Sequence, residues 1–234
     1  MKKLATLLLT AAISMTMFGQ DQKDLSKCAV VKILTNYGTM KVALYNETPQ
    51  HRDNFIKLVK SNFYEDVLFH RVIKEFMIQA GDPQSKDSTF TGRLGGGGVG
   101  YTIPAEFVSE LFHKKGALAA ARQGDDVNPE KASSGCQFYI VTGRQFDRKE
   151  IDMLERRLKT MYDNPEFHYN ENQRLTYMTF GGAPHLDGAY TVFGELIDGF
   201  EVLDSIESVK TDPTDRPVEP VRIISMSIIK NYRK

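Results

Sequence analysis

The residues whose types and spacing suggest chemistry lie in one stretch of the chain, residues 69–82. It contains a guanidinium, Arg71, and then a polar Lys74-Glu75 pair, an apolar run at residues 76–78 and the amide of Gln79. The polar pair predicts a hairpin turn, which would bring the apolar run and the amide back alongside Arg71. Buried arginine is rare unless it is paired, so Arg71 should face a groove. A half-exposed hairpin whose arginine only extends into solvent explains the same spacing equally well.

Two later blocks decide between these readings: GCQFYIV at residues 135–141 and LDGAYTVFG at residues 186–194. Together with the Phe-His-Arg opening and the Phe-Met-Ile-Gln closing of the hairpin, they resemble the cyclophilins, the cyclosporin-binding class of peptidyl-prolyl cis-trans isomerases. The resemblance covers about residues 30–229, interrupted by one insertion at residues 147–180. It implies a mainly β fold, with a closed eight-stranded antiparallel barrel, two packed helices and, here, a helical insertion.

The implied reaction needs no cofactor and no covalent chemistry. Amide resonance sets a barrier of about 18–20 kcal/mol to rotation of the X–Pro bond. An enzyme need only bind the twisted amide better than either planar form. The prolyl nitrogen regains a lone pair as the bond twists, and a fixed N–H donor near it favours that state. Arg71 suits this role because its guanidinium keeps its proton near neutral pH.

The resemblance also assigns site residues. The catalytic residues would be Arg71, Phe76 and Gln79, with Gln79 holding the substrate backbone and steadying Arg71. The residues that would bind the substrate are Met77, Ala121, Arg122, Gln137, Tyr139, His185, Leu186 and Tyr190.

Some of these residues depart from the best-known members of the family. Tyr139 replaces a Phe, His185 replaces the Trp of drug-sensitive members, and Tyr190 stands where His is frequent, while Asn is common at the position of Arg122. These changes affect the expected binding of cyclosporin more than catalysis, so we expect only weak cyclosporin binding.

The amino terminus is typical of a secretory signal peptide. Lys2 and Lys3 precede an apolar run at residues 4–18, which is too short to cross about 30 Å of hydrocarbon. We expect cleavage near Gly19/Gln20, an N-terminal linker at residues 20–27 and a single domain at residues 28–234. Soluble export to the periplasm or the medium is favoured over lipidation at Cys28, because polar residues separate that cysteine from the apolar run.

Composition narrows the classes of partner. The full chain has 30 basic and 30 acidic residues, and loss of Lys2 and Lys3 leaves a net charge of −2, which predicts no nucleic-acid partner. No second apolar segment is long enough to span a membrane. Cys28 and Cys136 could form a disulfide, although two unpaired buried thiols are the favoured interpretation. The five histidines show no paired metal spacing, and His70 is interpreted as a hydrogen-bonded structural residue.

Periodicity and turn residues place the remaining elements. Residues 28–34 and 39–45 predict a hairpin, and Thr48-Pro49 predicts a helix capped by Thr48. The glycines of residues 95–100 fit a G-x-G-x-x-G pattern, but an extended, proline-containing segment follows, so a flexible loop beside the groove is predicted instead of a nucleotide site. Residues 116–122 are mostly small, which predicts a strand whose backbone a ligand approaches, a tightly packed internal strand or a short helix.

The insertion should form two helices. For the first helix, Asp147 and Glu150 resemble a capping box, and apolar residues follow at helical spacing: Ile151, Leu154, Leu158 and Met161. A second, weaker helical pattern runs from residue 170 to residue 177. Beyond it we expect a strand at 190–195, a helix capped by Asp198 and Glu201 with Phe200, Leu203 and Ile206 inward, and a last strand at 221–229.

Two functions remain open from the sequence. The first is an exported prolyl isomerase that assists the folding of other exported proteins, acting as a monomer on proline-containing polypeptides. The second is a non-catalytic proline-peptide binding or chaperone module that docks through residues 147–180. Every matched site residue lies outside the insertion, so we expect the insertion to be separable from catalysis.

Overall fold

The computed structural model describes residues 24–230, and these fold around one eight-stranded antiparallel sheet. In the order in which they hydrogen-bond, its strands are β10 (Ile223–Lys230), β1 (Ala29–Thr35), β2 (Gly38–Leu44), β9 (Val192–Asp198), β6 (Ala117–Ala120), β8 (Phe138–Val141), β4 (Met77–Ala80) and β3 (Arg71–Ile73). Two short strands, β5 (Thr102–Ile103) and β7 (Ser133–Ser134), pair separately. The mainly β, cyclophilin-like fold predicted from the sequence is confirmed.

The predicted closed barrel is wrong, because the sheet is open and β10 and β3 are its two edges. Strand β3 has three residues, and the backbone N–H of Val72 donates to the carbonyl of Asp215 at 2.8 Å instead of to β10. The segment just before β3 bridges part of the opening: Phe69 N donates to Val221 O and Ile223 N donates to Val67 O, both at 2.9 Å. The two edges therefore approach each other without forming a continuous ladder.

Within residues 24–230, four α-helices surround the sheet: α1 (Pro49–Lys60), α2 (Arg148–Met161), α3 (Glu171–Thr179) and α4 (Phe200–Glu207). Helix α1 begins with proline at its first position, as predicted, and buries Phe55 and Val59 in the main core. The predicted cap is wrong, because the hydroxyl of Thr48 makes no capping hydrogen bond and is buried without a hydrogen-bond partner. The carboxylate of Glu106 caps the helix instead, accepting from the backbone N–H groups of Gln50 at 3.1 Å and His51 at 3.0 Å.

Residues 117–120 form a fully buried strand, which settles the choice left open by the small residues of that segment. The later strands, Val192–Asp198 and Ile223–Lys230, each begin two residues after the predicted start, and they end three residues and one residue after the predicted end. The predicted cap of α4 is wrong as well: Gly199 occupies the cap position with φ +89°, and Asp198 forms an ion pair with Lys41 at 2.7 Å. With the helix starting one residue later, Phe200 is 39% exposed, while Leu203 and Ile206 are buried as expected.

The insertion forms the predicted helical pair. Both helices start with a capping box, Asp147 with Glu150 in α2 and Asn170 with Gln173 in α3. They enclose a small aromatic and aliphatic cluster of their own, whose buried members are Ile151, Leu158, Tyr169 and Tyr177. Met161 was predicted to face inward but is 53% exposed, because it is the last residue of its helix.

Several predictions concerned the amino-terminal residues, the two cysteines and membrane-spanning segments. The predicted signal peptide, and the linker before residue 24, lie outside the described residues. Residues 25–27 form one turn of 3₁₀ helix, and Leu25 packs against a side-chain cluster beside the sheet. Cys28 and Cys136 are both buried and no disulfide joins them. Within the described part of the chain, no helix combines the length and the apolar character that a membrane crossing needs.

Candidate active site

The hairpin of β3 and β4 places its functional side chains as the sequence predicts. The Cα atoms of Arg71 and Gln79 are paired across the two strands. Arg71 and Gln79 remain partly exposed, whereas Met77 on the same face of β4 is buried. The hairpin thus sets a cation and an amide at the border of an apolar surface.

These side chains line an open cavity of about 780 Å³. The predicted site residues that line it are Arg71, Phe76, Met77, Gln79, Ala121, Arg122, Tyr139, Leu186 and Tyr190. Gln137 and His185 do not line it but contact residues that do. Further lining residues that the sequence did not indicate include Arg93, Asp212 and Arg216.

Arg71 is held differently from the prediction. Gln79 was expected to steady it, but the amide nitrogen of Gln79 donates to the side-chain oxygen of Gln137 at 3.0 Å. The partner of Arg71 is Asp215, whose carboxylate lies 3.4 Å from the guanidinium Nε. Both side chains of this pair are about two-fifths exposed, so the remaining guanidinium nitrogens are accessible to a ligand in the cavity.

The glycine-rich segment beside the cavity is anchored on two sides. The buried carboxylate of Asp82 accepts hydrogen bonds from the backbone N–H groups of Gly95 (2.5 Å) and Gly97 (3.1 Å). The amide nitrogen of Gln137 donates to the carbonyl oxygens of the same two glycines, at 3.0 and 2.7 Å. The flexible loop predicted here is therefore a segment with four side-chain hydrogen bonds, and the short strand Thr102–Ile103 follows it, as expected, instead of a helix.

His70 is buried beside the same cavity. It was interpreted as a hydrogen-bonded residue; its ring nitrogens meet no partner in full hydrogen-bonding geometry, but the backbone of Leu68 interacts with the ring. Burial penalises the charged ring and lowers its pKa from 6.5 to about 4, a shift that Asp82 and the Leu68 backbone oppose. At neutral pH the ring is therefore uncharged.

Aromatic rings form the floor of the cavity. Tyr190 meets Tyr139 edge to face with ring centroids 6.1 Å apart, and the guanidinium carbon of Arg122 lies 4.4 Å from the centroid of Tyr190. Arg122 also donates from Nε to the carbonyl of Ala189 at 2.7 Å. His185 stands at the rim, with its ring centroid 5.2 Å from that of Phe76, and partial burial lowers its pKa below the usual range.

A buried polar chain behind this floor was missed by the sequence analysis. The hydroxyl of Tyr139 lies 2.9 Å from Nε2 of His113, and Nδ1 of His113 lies 2.7 Å from the carboxylate of Asp187. That carboxylate also accepts hydrogen bonds from the hydroxyls of Tyr169 (2.9 Å) and Tyr177 (2.5 Å), both in the insertion. The insertion, which was expected to be separable from catalysis, is connected through these hydrogen bonds to Tyr139, which lines the cavity. Asp187 follows directly on the predicted site residue Leu186, and this adjacency was the available signal.

The cavity thus combines a permanent hydrogen-bond donor on one side with buried apolar and aromatic side chains on the other. Such an arrangement can hold a compact apolar ring and stabilise charge or a lone pair that develops beside it. Among residues 24–230, no group of three or more His, Cys, Asp or Glu side chains is placed to bind a metal ion.

Comparison with known proteins relates the chain to one family. The family model described as "Cyclophilin type peptidyl-prolyl cis-trans isomerase/CLD" matches residues 30–228. A putative bifunctional phosphatase/peptidyl-prolyl cis-trans isomerase of Streptococcus pyogenes is 37% identical over 203 residues, which are 85% of this chain and 38% of that protein. A putative peptidyl-prolyl cis-trans isomerase of Staphylococcus haemolyticus is 32% identical over 216 residues, 92% of this chain and 98% of that protein. The chain therefore spans well under half of the first relative and nearly all of the second.

Solved structures agree with this relation. The crystal structure of a Cryptosporidium parvum cyclophilin-type peptidyl-prolyl cis-trans isomerase superposes with a TM-score of 0.63 at 28% identity, covering 87% of this chain and 99% of that one. The structure of that protein in the presence of the dipeptide Ala-Pro gives a TM-score of 0.62 at the same identity, covering 86% of this chain and 99% of that one.

Proposed function

Because the chain belongs to the family of cyclophilin-type peptidyl-prolyl cis-trans isomerases, we propose that its groove catalyses rotation of X–Pro bonds in exported polypeptides. The enzyme class predicted from the sequence is confirmed at the level of the family. The observation that carries the catalytic proposal is the placement of the Arg71 guanidinium at the edge of a cavity whose floor is apolar and aromatic.

The proline ring would sit on that floor. Met77 and Tyr139 are almost fully buried, and Phe76 and Leu186 are partly buried around them. An apolar seat holds the ring still while the preceding carbonyl turns. The related structure solved with Ala-Pro supports a proline-containing ligand for this groove.

Arg71 would act on the twisted amide. Its exposed nitrogens can donate to the prolyl nitrogen or to the rotating carbonyl, and these interactions strengthen only as the bond leaves planarity. Each 1.36 kcal/mol of preference for the twisted state raises the rate about tenfold. Uncatalysed isomerisation takes roughly 10–100 s, so a few such increments make the reaction fast on the time scale of folding.

A protease-coupled assay on a short X-Pro peptide tests this proposal. We expect turnover by the parent, and a loss of at least about tenfold in kcat/KM for Arg71→Ala, because loss of one electrostatic donor costs about 2.7–4 kcal/mol elsewhere and solvent reduces this in an open groove. Arg148→Ala is the control, since Arg148 is exposed on α2 and its guanidinium pairs with the exposed Glu171 at 2.9 Å. An Arg71→Ala protein that is folded and turns over at the parent rate removes Arg71 from the mechanism.

We also propose that the chain is exported as a soluble monomer. The basic Lys2 and Lys3, the apolar run at residues 4–18 and the polar residues after it support a signal peptide cleaved near Gly19/Gln20. Burial of Cys28 in the fold argues against a lipid attached at that residue. Amino-terminal sequencing of the mature protein and its sedimentation velocity test the two statements separately.

The same groove should bind cyclosporin weakly. His185 offers less apolar area than the Trp of drug-sensitive family members, and each Å² not buried loses roughly 25 cal/mol. Peptide turnover should suffer less, because the proline seat is formed by other side chains. We expect weak inhibition of the parent and tighter inhibition of His185→Trp, both measured by titrating turnover with the drug. Tight inhibition of the parent, or no gain in the variant, contradicts the role given to His185.

A second function is supported by the surface of the insertion. Large apolar side chains on α2, within α3 and directly after α3 are more than half exposed: Met153, Met161, Leu175 and Phe180. Such side chains can hold unfolded segments of a client protein. If they do, Met153→Gln/Leu175→Gln should reduce the suppression of client aggregation while leaving turnover of a short peptide unchanged.

A further inference from the structure

We propose that the insertion positions the aromatic floor of the groove: Tyr177 and Tyr169 act through Asp187 and His113 on Tyr139. This inference rests on the proposed isomerase function, and it gives two insertion residues a positioning role in that reaction. The groove and the insertion would then form one unit, although every residue matched to the family lies outside the insertion.

The geometry forms one unbroken chain of contacts. From the groove inward, Tyr139 OH lies 2.9 Å from His113 Nε2, and His113 Nδ1 lies 2.7 Å from Asp187 Oδ1. Tyr177 OH lies 2.5 Å and Tyr169 OH 2.9 Å from the other carboxylate oxygen, Oδ2. All five residues are buried, and His113 is completely excluded from solvent. Water therefore does not compete for these hydrogen bonds, and each one restricts the next side chain.

The direction of the hydrogen bonds follows from the acceptors. The carboxylate can only accept, so both insertion hydroxyls donate to it. Oδ1 also accepts from the backbone N–H of His113 at 2.8 Å. In a neutral ring, Nδ1–H donates to Asp187, and Nε2 is then left to accept the phenolic proton of Tyr139. The hydroxyl of Tyr139 is thereby pointed away from the groove and towards His113.

The ring of Tyr139 is the element that this chain would fix. It lies nearly parallel to the ring of His113, with centroids 6.0 Å apart and planes 13° apart. Tyr190 packs edge to face on both rings, and the guanidinium of Arg122 lies over the ring of Tyr190. The position of His113 therefore affects Tyr190 as well as Tyr139. A displaced His113 would shift two side chains that line the cavity.

The insertion supplies its own control residue. Tyr162 also belongs to the insertion, but its hydroxyl is buried without a hydrogen-bond partner. Tyr162→Phe therefore removes a hydroxyl from the same segment without touching the chain to Tyr139. Tyr177 is the better test residue than Tyr169, because the hydroxyl of Tyr169 is shared with the carbonyl of Pro184 at 3.0 Å.

The decisive experiment is a double-mutant cycle. Tyr177→Phe is made in the parent and in a Tyr139→Phe background, and kcat/KM on an X-Pro peptide is measured together with the thermal midpoint. One lost hydrogen bond of ordinary net strength corresponds to about a two- to tenfold change. We expect a loss of that size in the parent and a clearly smaller loss in the Tyr139→Phe background, where the hydrogen bonds end at His113 and only its ring contact with Tyr190 still reaches the groove. The thermal midpoint should fall in both backgrounds, and Tyr162→Phe should leave turnover unchanged.

Two results would overturn the proposal: an equal loss of turnover in both backgrounds, or no loss in the parent. An independent readout separates this from the proposed function. In protein labelled with ¹³C at the tyrosine ring carbon that bears the hydroxyl, the resonance of Tyr139 should move in Tyr177→Phe and stay in place in Tyr162→Phe. If the parent shows no isomerase activity, the proposed function fails, and an unchanged Tyr139 resonance in Tyr177→Phe would separately exclude the positioning role.

Discussion

Two aspartates support this groove, one on each side, and they do so in opposite ways. Asp215 pairs with Arg71 at 3.4 Å, with both side chains about 40% exposed. Asp187 pairs with His113 at 2.7 Å, with side-chain exposures of only 7% and 1%. The first pair stands at the mouth of the cavity and the second behind its floor.

The difference in burial affects how freely each aspartate's partner can move. An exposed ion pair contributes about 0–1 kcal/mol to stability and is weakened by salt. Arg71 therefore stays available to a ligand, because little free energy is lost when it leaves Asp215. A buried carboxylate must have its hydrogen bonds satisfied, and Asp187 accepts four. The side chain of Arg71 at the mouth of the groove can therefore change position, whereas His113 behind the floor is held in place.

The same substitution at the two aspartates should give the largest contrast. Asp187→Asn sets an amide N–H₂ against groups that already donate, and each buried donor left unsatisfied costs about 1–3 kcal/mol. We expect that loss in the free energy of unfolding, measured with denaturant. Asp215→Asn, its control, should lose about 1 kcal/mol or less. Equal losses would mean that burial does not separate the two pairs.

Two of the three buried histidines of residues 24–230, His113 and His70, give a second, pH-dependent contrast. His113 has a partner at both ring nitrogens, whereas His70 has none within hydrogen-bonding geometry and its pKa falls to about 4. The unfolded chain binds a proton at the usual pKa of 6.5, so it takes up more protons than the folded protein between about pH 6.5 and 4. Stability should therefore fall on acidification through that window, by up to about 3 kcal/mol from His70.

Denaturant unfolding at pH 7.5 and pH 4.5 measures this contribution. The parent should lose about 2–3 kcal/mol more on acidification than His70→Gln does, because the variant has no proton to bind at that position. His168→Gln is the control, since it removes an exposed histidine of the insertion. Identical acid losses in the parent and in His70→Gln would show that His70 does not resist protonation in the folded protein.

The smallest expected effect concerns activity at the mouth of the groove. Asp215→Asn removes the charge beside Arg71 but keeps a residue type that tolerates the left-handed backbone conformation found there, φ +64°. Since an exposed pair contributes at most about 1 kcal/mol, we expect kcat/KM to change by less than about fivefold, with a weaker dependence on salt than in the parent. A loss as large as that of Arg71→Ala would make Asp215 part of the catalytic apparatus.

The parts of the site that the sequence predicts well are contiguous in the chain. Arg71 and Gln79 are eight positions apart on either side of a polar turn, so local patterning suffices to pair them. Motif blocks that resemble a known family then place Tyr139 and Leu186 in the same groove. The predicted capping box of α2, Asp147 with Glu150, is a local signal of the same kind and is confirmed, while the box of Asn170 with Gln173 in α3 was not predicted.

The parts that were missed depend on distant contacts. His113 and Asp187 are 74 positions apart, and neither residue type nor spacing distinguishes them from other polar residues. The partner of Arg71 is 144 positions away, in a loop without a pattern. Barrel closure was wrong for a related reason: it depends on whether Val72 bonds to β10 or to Asp215, and both choices suit the same sequence.

The glycine segment at the rim has a consequence for mutational tolerance. A Cβ atom on Gly97 would lie 2.0 Å from a carboxylate oxygen of Asp82, so any other residue there must displace the side chain that anchors the segment. At Gly96 and Gly98 a Cβ would meet nothing within 4 Å. Tolerance of substitution should thus alternate along the run: Gly96 and Gly98 can be replaced by other residues, whereas Gly97 should be kept. Gly98→Cys is accordingly a position for a fluorescent label beside the groove, because both native thiols are buried and would not compete for the reagent.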